Sequence, residues 1–348
     1  MMKRGSNKKI IAGIAALLLT VCAVAGGTAL YERQQQKKLE ERLREEAEDA
    51  EDGSWTDENT LYFDGDMYGF DHCIESYLFM GTDASGNEDG EGEEYQGAMA
   101  DYLLLMVLDH TSRTYGYLQI DRNTITEVNE IGIDGELINT WDEQICTAHW
   151  YGGNREMSAE NTVEAVKLLV GELDHIDGYY VVNMQDIGRL NHAVGGVEVT
   201  VDDDLTHWDK TLTKGKTLVL SDEQAEAFIR ARMHVGNEEN SARMNRQRQY
   251  MDSFFKKVKE NVMKDPEFAT TLWNTLRDVA VTDMNGNVFS RIAQMFLKGE
   301  NKGILTIEGE SKLGNVLNDG LEHEEFYADP DSIREVMTEL YSLVSVEE

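Results

Sequence analysis

The chain has 348 residues, 66 acidic and 32 basic side chains for a formal net charge of −34, and 41% apolar residues. That apolar share supplies a core and excludes wholesale disorder, and the length holds one large domain with extensions or two modest ones. The acidity excludes a nucleic-acid binder, whose domain would be basic, and makes any local gathering of positive charge informative.

Residues 1–9 form a basic tail with Lys3, Arg4, Lys8 and Lys9, and residues 10–30 then run without a charge. A helix of that length crosses a hydrocarbon core of about 30 Å, so 10–30 is expected to be an uncleaved transmembrane anchor. The rival is a signal peptide cut near Ala23-Val24-Ala25, for which the apolar run is long. The positive flank places the N-terminus in the cytoplasm and the rest of the chain outside. Residues 31–70 read as a stalk and linker, because 31–50 are strong helix formers with almost no apolar face. Beyond them Cys73 and Cys146 are either a disulfide or two buried thiols.

The folded part opens with a buried strand, "SYLFMG" (76–81), followed by an acidic Gly-rich stretch over 83–98. Two strands come next, "DYLLLMVLD" (101–109) and "TYGYLQID" (114–121), joined by a polar turn from His110 to Arg113. Helical spacing covers 159–173, then strand "YYVVN", a helical "MQDIGRLNHAV", a Gly195-Gly196 turn and strand "VEVTV". Ser221 with Gln224 three residues on is a capping box, and a long helix begins near Ser241. Strands alternating with helices define an α/β fold, three layers α/β/α with a central mixed sheet over 71–264. Residues 265–348 read as a helical C-terminal extension without concentrated chemistry.

Zinc spacings, a phosphate loop and a nucleophile elbow are all missing from the sequence. Arginine is what gathers: Arg230, Arg232, Arg243, Arg246 and Arg248 fall within nineteen positions. Arg230 and Arg232 close the Ser221 helix, while Arg243, Arg246 and Gln247 share one face near the start of the next. Guanidinium forks beside a helix N-terminus suit phosphate or pyrophosphate; the alternative is a solvated face paired with Glu238 and Glu239. That alternative is preferred for Arg248, which lies off the shared stripe. Arg122 stands at the carboxyl end of a buried strand, where α/β sheets place ligands, with a surface-turn arginine as the plain alternative. Asp83 ends one strand and Asp101 starts the next, so both carboxylates can meet on Mg²⁺ with phosphate oxygens. The loop Asp83 to Glu94 partly imitates a calcium loop, but its sixth position is Glu88 and its flanks are strands.

In order and spacing, "LFMGTD", the strand from Asp101, "LQIDRNT", "INTWDEQICTAHWYGG", "YYVVNMQDIGRLNHAVGGVEVTV", "LSDEQAEAFIRARM" and "RMNRQRQYM" resemble the LytR–CpsA–Psr family. The likeness runs from Ser76 to Met251. It implies a membrane-anchored phosphotransferase, bacterial and of Gram-positive type, facing outward. Such an enzyme moves a teichoic-acid or capsule glycopolymer from a polyprenyl-pyrophosphate carrier to peptidoglycan, with Mg²⁺ or another divalent cation. By resemblance, Asp83 and Asp101 hold the metal. Arg122, Arg230, Arg232, Arg243 and Gln247, with Arg246 as a further candidate, bind the pyrophosphate, and Asp101 or Asp121 acts as base. Two departures stand out: Met99 where the family often has arginine, and Asp121-Arg122-Asn123 in place of Pro-Arg-Asp. They keep open a non-catalytic relative that binds polyprenyl phosphate or glycopolymer as a regulator or scaffold. A plain extracytoplasmic interaction protein is the third reading.

Overall fold

Strand β4 (Ala100–Asp109) shows why the protein is layered. Leu103, Leu105 and Val107 enter one apolar core and Leu104, Met106 and Leu108 another, all six at most 1% exposed. A strand apolar on both faces must be covered on both. The structure, a computed structural model, describes residues 59–83, 90–231, 240–265 and 267–346. The expected basic tail, anchor and most of the stalk lie outside the described residues, as do Arg232, Glu238, Glu239 and positions 84–89 of the calcium-like loop. No helix among the described residues is long and apolar enough to cross a membrane.

The elements are, in order, β1 (Thr60–Phe63), β2 (Asp66–Gly69), β3 (Ile74–Thr82), β4, β5 (Thr114–Ile120), β6 (Ile125–Ile131), β7 (Leu137–Gln144) and α1 (Arg155–Leu169). Then come β8 (Gly178–Asn183), α2 (Ile187–Val194), β9 (Glu198–Thr200), β10 (Thr217–Val219), α3 (Asp222–Arg230) and α4 (Asn240–Lys264). The last are α5 (Phe268–Leu276), β11 (Ala280–Thr282), α6 (Gly286–Lys298), β12 (Glu300–Thr306), β13 (Gly309–Gly314), β14 (His323–Ala328), α7 (Pro330–Tyr341) and β15 (Val344–Ser345). The central sheet has six strands in the order β11-β8-β3-β4-β5-β12. Pairs β3–β8 and β5–β12 are parallel, and the other three are antiparallel. One end of the sheet therefore gathers the carboxyl ends of β3, β5, β8 and β12 with the start of β4. Helices α2 to α6 cover one face; α1, α7 and β1 cover the other.

The mixed three-layer arrangement is the expected one, and so are the local signals for α3 and α4. Ser221 N–H donates to Gln224 Oε1 (2.8 Å) and Gln224 N–H to Ser221 Oγ (3.3 Å), closing the capping box. Helix α1 starts earlier than its apolar spacing indicated, because Asn154 Oδ1 accepts the Met157 amide at 2.8 Å and caps it. Gly195 closes α2 at φ +83°, a backbone conformation that glycine alone adopts freely. Cys73 and Cys146 are two buried thiols not joined in a disulfide, so the disulfide alternative falls away.

The expectation of a helical extension over 265–348 needs correction. That segment supplies both edge strands of the central sheet, β11 and β12, and a hairpin, β13–β14. All described residues fall in one structural unit, without a boundary at 264. Edge strands bury one side only, so β12 with its lysine, asparagine and glycine carries little apolar alternation to read.

At the sheet end opposite the Asp101 site, Glu75 on β3 fastens three elements. His110 Nε2 lies 3.0 Å from its carboxylate and Arg291 of α6 binds it at 2.9 Å. Burial alone would raise its pKa, but the His110 hydrogen bond and the Arg291 charge outweigh that and hold it at about 2, against an ordinary 4.5. A depressed carboxylate stabilises the fold fully above its unfolded pKa and loses that contribution as pH falls through its folded one. Glu75→Gln is expected to cost roughly 2–3 kcal/mol at neutral pH. It should also remove the part of the acid transition between pH 4.5 and about 2, read by thermal melts at stepped pH.

Candidate functional site

The first two turns of α4 bury polar groups where its later turns bury Tyr250, Phe254, Val258 and Val262 at four-residue intervals. Arg243 (5% exposed), Arg246 (2%) and Gln247 (2%) lie inside the protein. Buried charge of this kind needs partners or a ligand. The start of α4 abuts the turn after β5, where Asn240 Nδ2 donates to Asp121 Oδ1 at 2.7 Å.

From that contact a network runs across the sheet end. Asn240 Oδ1 accepts Arg243 Nη2 at 2.7 Å, and Arg243 Nη1 donates to Asp101 Oδ2 at 3.2 Å. The other oxygen of Asp101 accepts from Arg122 Nη1. Arg122 Nη2 meets two sulfurs, Met99 Sδ and Cys146 Sγ, the latter at 3.1 Å. Sulfur is a weak acceptor. Arg122 Nε, though buried, has no partner, so this guanidinium is only partly satisfied. Gln247, one helical turn beyond Arg243, has a buried Nε2 that also lacks an acceptor. These are donors set for an oxyanion.

Asp121 is the second carboxylate of the network. Burial raises its pKa above the usual carboxylate range, and the Asn123 amide, Asn240, Arg243 and Arg122 offset this only in part. Its Oδ1 accepts the Asn123 amide at 2.8 Å, which fixes the carboxylate at the strand end. Asp83 stands at the end of β3, its amide donating to the Met99 carbonyl at 3.4 Å. Thr82 pairs with Ala100, so Asp83 and Asp101 sit at adjoining ends of neighbouring strands. No group of three or more His, Cys, Asp or Glu suited to a metal occurs among the described residues. Two carboxylates completed by water and phosphate oxygens still fit Mg²⁺, which seldom takes an all-protein cage.

The structure thus brings together Asp83, Asp101, Asp121, Arg122 and Arg243, with Gln247 buried one helical turn further along α4. It turns two expected ligands elsewhere. Arg246 donates to the carbonyls of Phe228 (3.2 Å) and Ala231 and to Asp203 (3.0 Å), tying α4 to the end of α3. Arg230, half-buried at that same end, pairs with Glu226 at 2.6 Å one turn back. Arg248 keeps its solvated place only in part: its Nη2 donates to Asn245 Oδ1 at 3.0 Å on the exposed side of α4, while its Nε is buried without a partner and the residue lines a groove with Asp121. Asn240 and Cys146 were missed as site residues, and Met99 was singled out only for standing where the family often has arginine. Asn240 stands three before Arg243, the spacing that lets it brace the arginine, whereas nothing in the sequence marks the Cys146 sulfur as a neighbour of Arg122.

Fold and site together define an α/β domain with an arginine–carboxylate centre at the carboxyl end of a mixed sheet. The chain belongs to the LytR_cpsA_psr family, whose model matches residues 38–341. It is 31% identical over 183 residues to a Bacillus cereus protein named polyisoprenyl-teichoic acid–peptidoglycan teichoic acid transferase TagU. The match covers 52% of each chain, so this chain spans about half the length of the curated relatives it matches. The fold is shared with Bacillus subtilis TagV (TM-score 0.57, 21% identity, covering 77% of this chain and 96% of that one). It is shared also with TagT bound to LI-WTA (TM-score 0.56, 18% identity, covering 78% and 90%).

Proposed function

We propose that this protein transfers a teichoic-acid-type glycopolymer from a polyprenyl-pyrophosphate carrier to peptidoglycan. The observation that carries this is Arg122, a guanidinium 12% exposed and held by one carboxylate and two sulfurs, facing Arg243 across Asp101. Family membership and the name of the TagU relative support the same reading. Arg122, Arg243 and Gln247 bind the pyrophosphate oxygens and stabilise charge as it shifts toward the leaving phosphate. Asp121 takes the proton of an acceptor hydroxyl. The hydroxyl oxygen bonds to the glycan-side phosphorus, and the bond to the bridging oxygen breaks, releasing polyprenyl phosphate. A divalent cation held by Asp83 and Asp101 would supply charge neutralisation on the phosphates. The apolar run 10–30 behind a basic tail supports a membrane tether that keeps the domain on the outer face. A second reading, a binding protein without turnover, is favoured by Met99, whose sulfur rather than a further guanidinium occupies the Arg122 flank.

The test uses the full chain purified in detergent. Polyprenyl phosphates that co-purify are sought by mass spectrometry, and cleavage of a polyprenyl-pyrophosphate glycan is followed against pH with Mg²⁺ present. A base must be ionised to act, and the Asp121 pKa is raised, so the acid limb of the rate profile is expected above the usual carboxylate range. Asp121→Asn should abolish that limb. No affinity for polyprenyl pyrophosphate sinks both readings; tight binding without cleavage selects the second.

A further inference from the structure

A groove of about 830 Å³ opens beside Asp121, between α4, the end of β12 and the hairpin β13–β14. Its volume is that of a ligand cleft, about 300–1,000 Å³. The hairpin that walls it is bonded directly to the site's own turn. Phe326 N–H donates to the Asn123 carbonyl at 2.9 Å, Thr124 bridges to Phe326, and Gln144 Nε2 donates to the Glu324 carbonyl at 2.7 Å. The groove is therefore held in register with Asp121 rather than hung on a free loop.

The lining shows what it would take. Eleven of its fifteen residues are polar or charged and the other four are Met244, Ile307, Leu313 and Phe326, a mixed lining that suits a polar ligand with apolar faces better than a lipid tail. Among the lining residues the fixed cations are Arg248 and Lys312, against the carboxylates of Asp121, Glu322 and Glu324, so a polyphosphate lying in the groove would meet net negative charge. Two buried atoms of lining residues lack partners, Gln119 Oε1, on a side chain 2% exposed, and Arg248 Nε. One is an acceptor and the other a donor, a pair that hydroxyl and amide groups satisfy together. Phe326 and Leu313 add apolar surface for the flat faces of sugar rings.

We infer that this groove is the subsite for the acceptor saccharide, a strand of N-acetylated amino sugars that delivers one hydroxyl to Asp121. The inference rests on the transfer reading above and adds where the second substrate lies and which segment selects it. Arg248 and Lys312 match the isolated carboxylates of such a strand. The donor polymer, rich in phosphate, is left to the arginine side of the site.

Titration calorimetry of the full chain in detergent tests this with an N-acetylglucosamine–N-acetylmuramic acid tetrasaccharide, in parallel with a glycerol-phosphate oligomer. Saturable tetrasaccharide binding is expected, weakened at least tenfold by Leu313→Asp and by Lys312→Glu, both at exposed positions that tolerate substitution. Val219→Asp, an exposed position on β10, should leave it unchanged. Wild-type affinity in both hairpin variants, no tetrasaccharide binding, or hairpin-dependent binding of the glycerol-phosphate oligomer overturns the inference. Polyprenyl-pyrophosphate binding measured on the same samples reads the transfer proposal separately, so failure of one is distinguishable from failure of the other.

Discussion

Arg122→Ala is expected to lower cleavage of a polyprenyl-pyrophosphate glycan by two to three orders of magnitude, as loss of a preorganised oxyanion donor typically does, about 10²–10³ in kcat. The residue is mostly covered and positioned by Asp101 and Cys146, yet its buried Nε has no partner in the protein. A phosphate oxygen arriving there exchanges sulfur contacts for charge-assisted hydrogen bonds and desolvates nothing new. The effect should fall on kcat more than on KM, because the charge it meets grows as the bridging oxygen leaves. Arg122→Lys keeps a charge but not the planar fork, and cannot hold Asp101 and a phosphate together, so it should recover only a small part of the loss. Steady-state rates at saturating donor decide the matter; an alanine variant within threefold of wild type would remove Arg122 from the chemistry. Arg243 remains on Asp101 in either variant, so the carboxylate is not stranded and the fold should hold.

What the sequence revealed of this centre, and what it hid, has a physical pattern. Apolar runs that form the middle of the sheet, such as 103–108, are legible because burial on both faces demands them. The capping box at Ser221 is legible because its two hydrogen bonds are local. Asp101, Asp121 and Arg122 could be placed because they sit at strand ends, and strand ends can be located from the strands. The wall of the groove could not. Its hairpin, 309–328, reaches the site by a parallel bridge from Thr124 to Phe326, a contact across about two hundred residues that no local periodicity encodes. Strand β13 is exposed along nearly its whole length, so it lacks the alternation by which strands are recognised. Exposure also explains why β7 went unread: six of its eight residues face solvent.

Helical spacing was informative about α4 only up to a point. Positions 243, 246 and 247 do share a buried face, but a face near 100° wide has two edges. Arg243 lies on the edge toward Asp101 and Arg246 on the edge toward α3, and three residues of spacing cannot tell them apart.

Arg246→Ala therefore separates stability from chemistry. This guanidinium satisfies the carbonyls of Phe228 and Ala231 at the end of α3 and the carboxylate of Asp203, with 2% of its side chain exposed. Burial pulls its pKa below that of an ordinary arginine, and Asp203 offsets this only in part. Truncation leaves two carbonyls without their donor and a carboxylate, itself 27% exposed, without its counter-charge. Stranding such groups costs about 3–5 kcal/mol when all are fully buried; discounting for the exposure of Asp203 gives about 3 kcal/mol. For a domain of this size that lowers the melting temperature by about 6–12 °C. Arg230→Ala breaks only a half-exposed pair along one helix and should cost less than about 1 kcal/mol. Below its own melting transition the Arg246 variant should cleave donor within a few-fold of wild type, since its hydrogen bonds point to α3 and Asp203 rather than to Asp101. A variant that melts like wild type but has lost activity would return Arg246 to the pyrophosphate site, and scanning calorimetry beside initial rates on one preparation distinguishes the two.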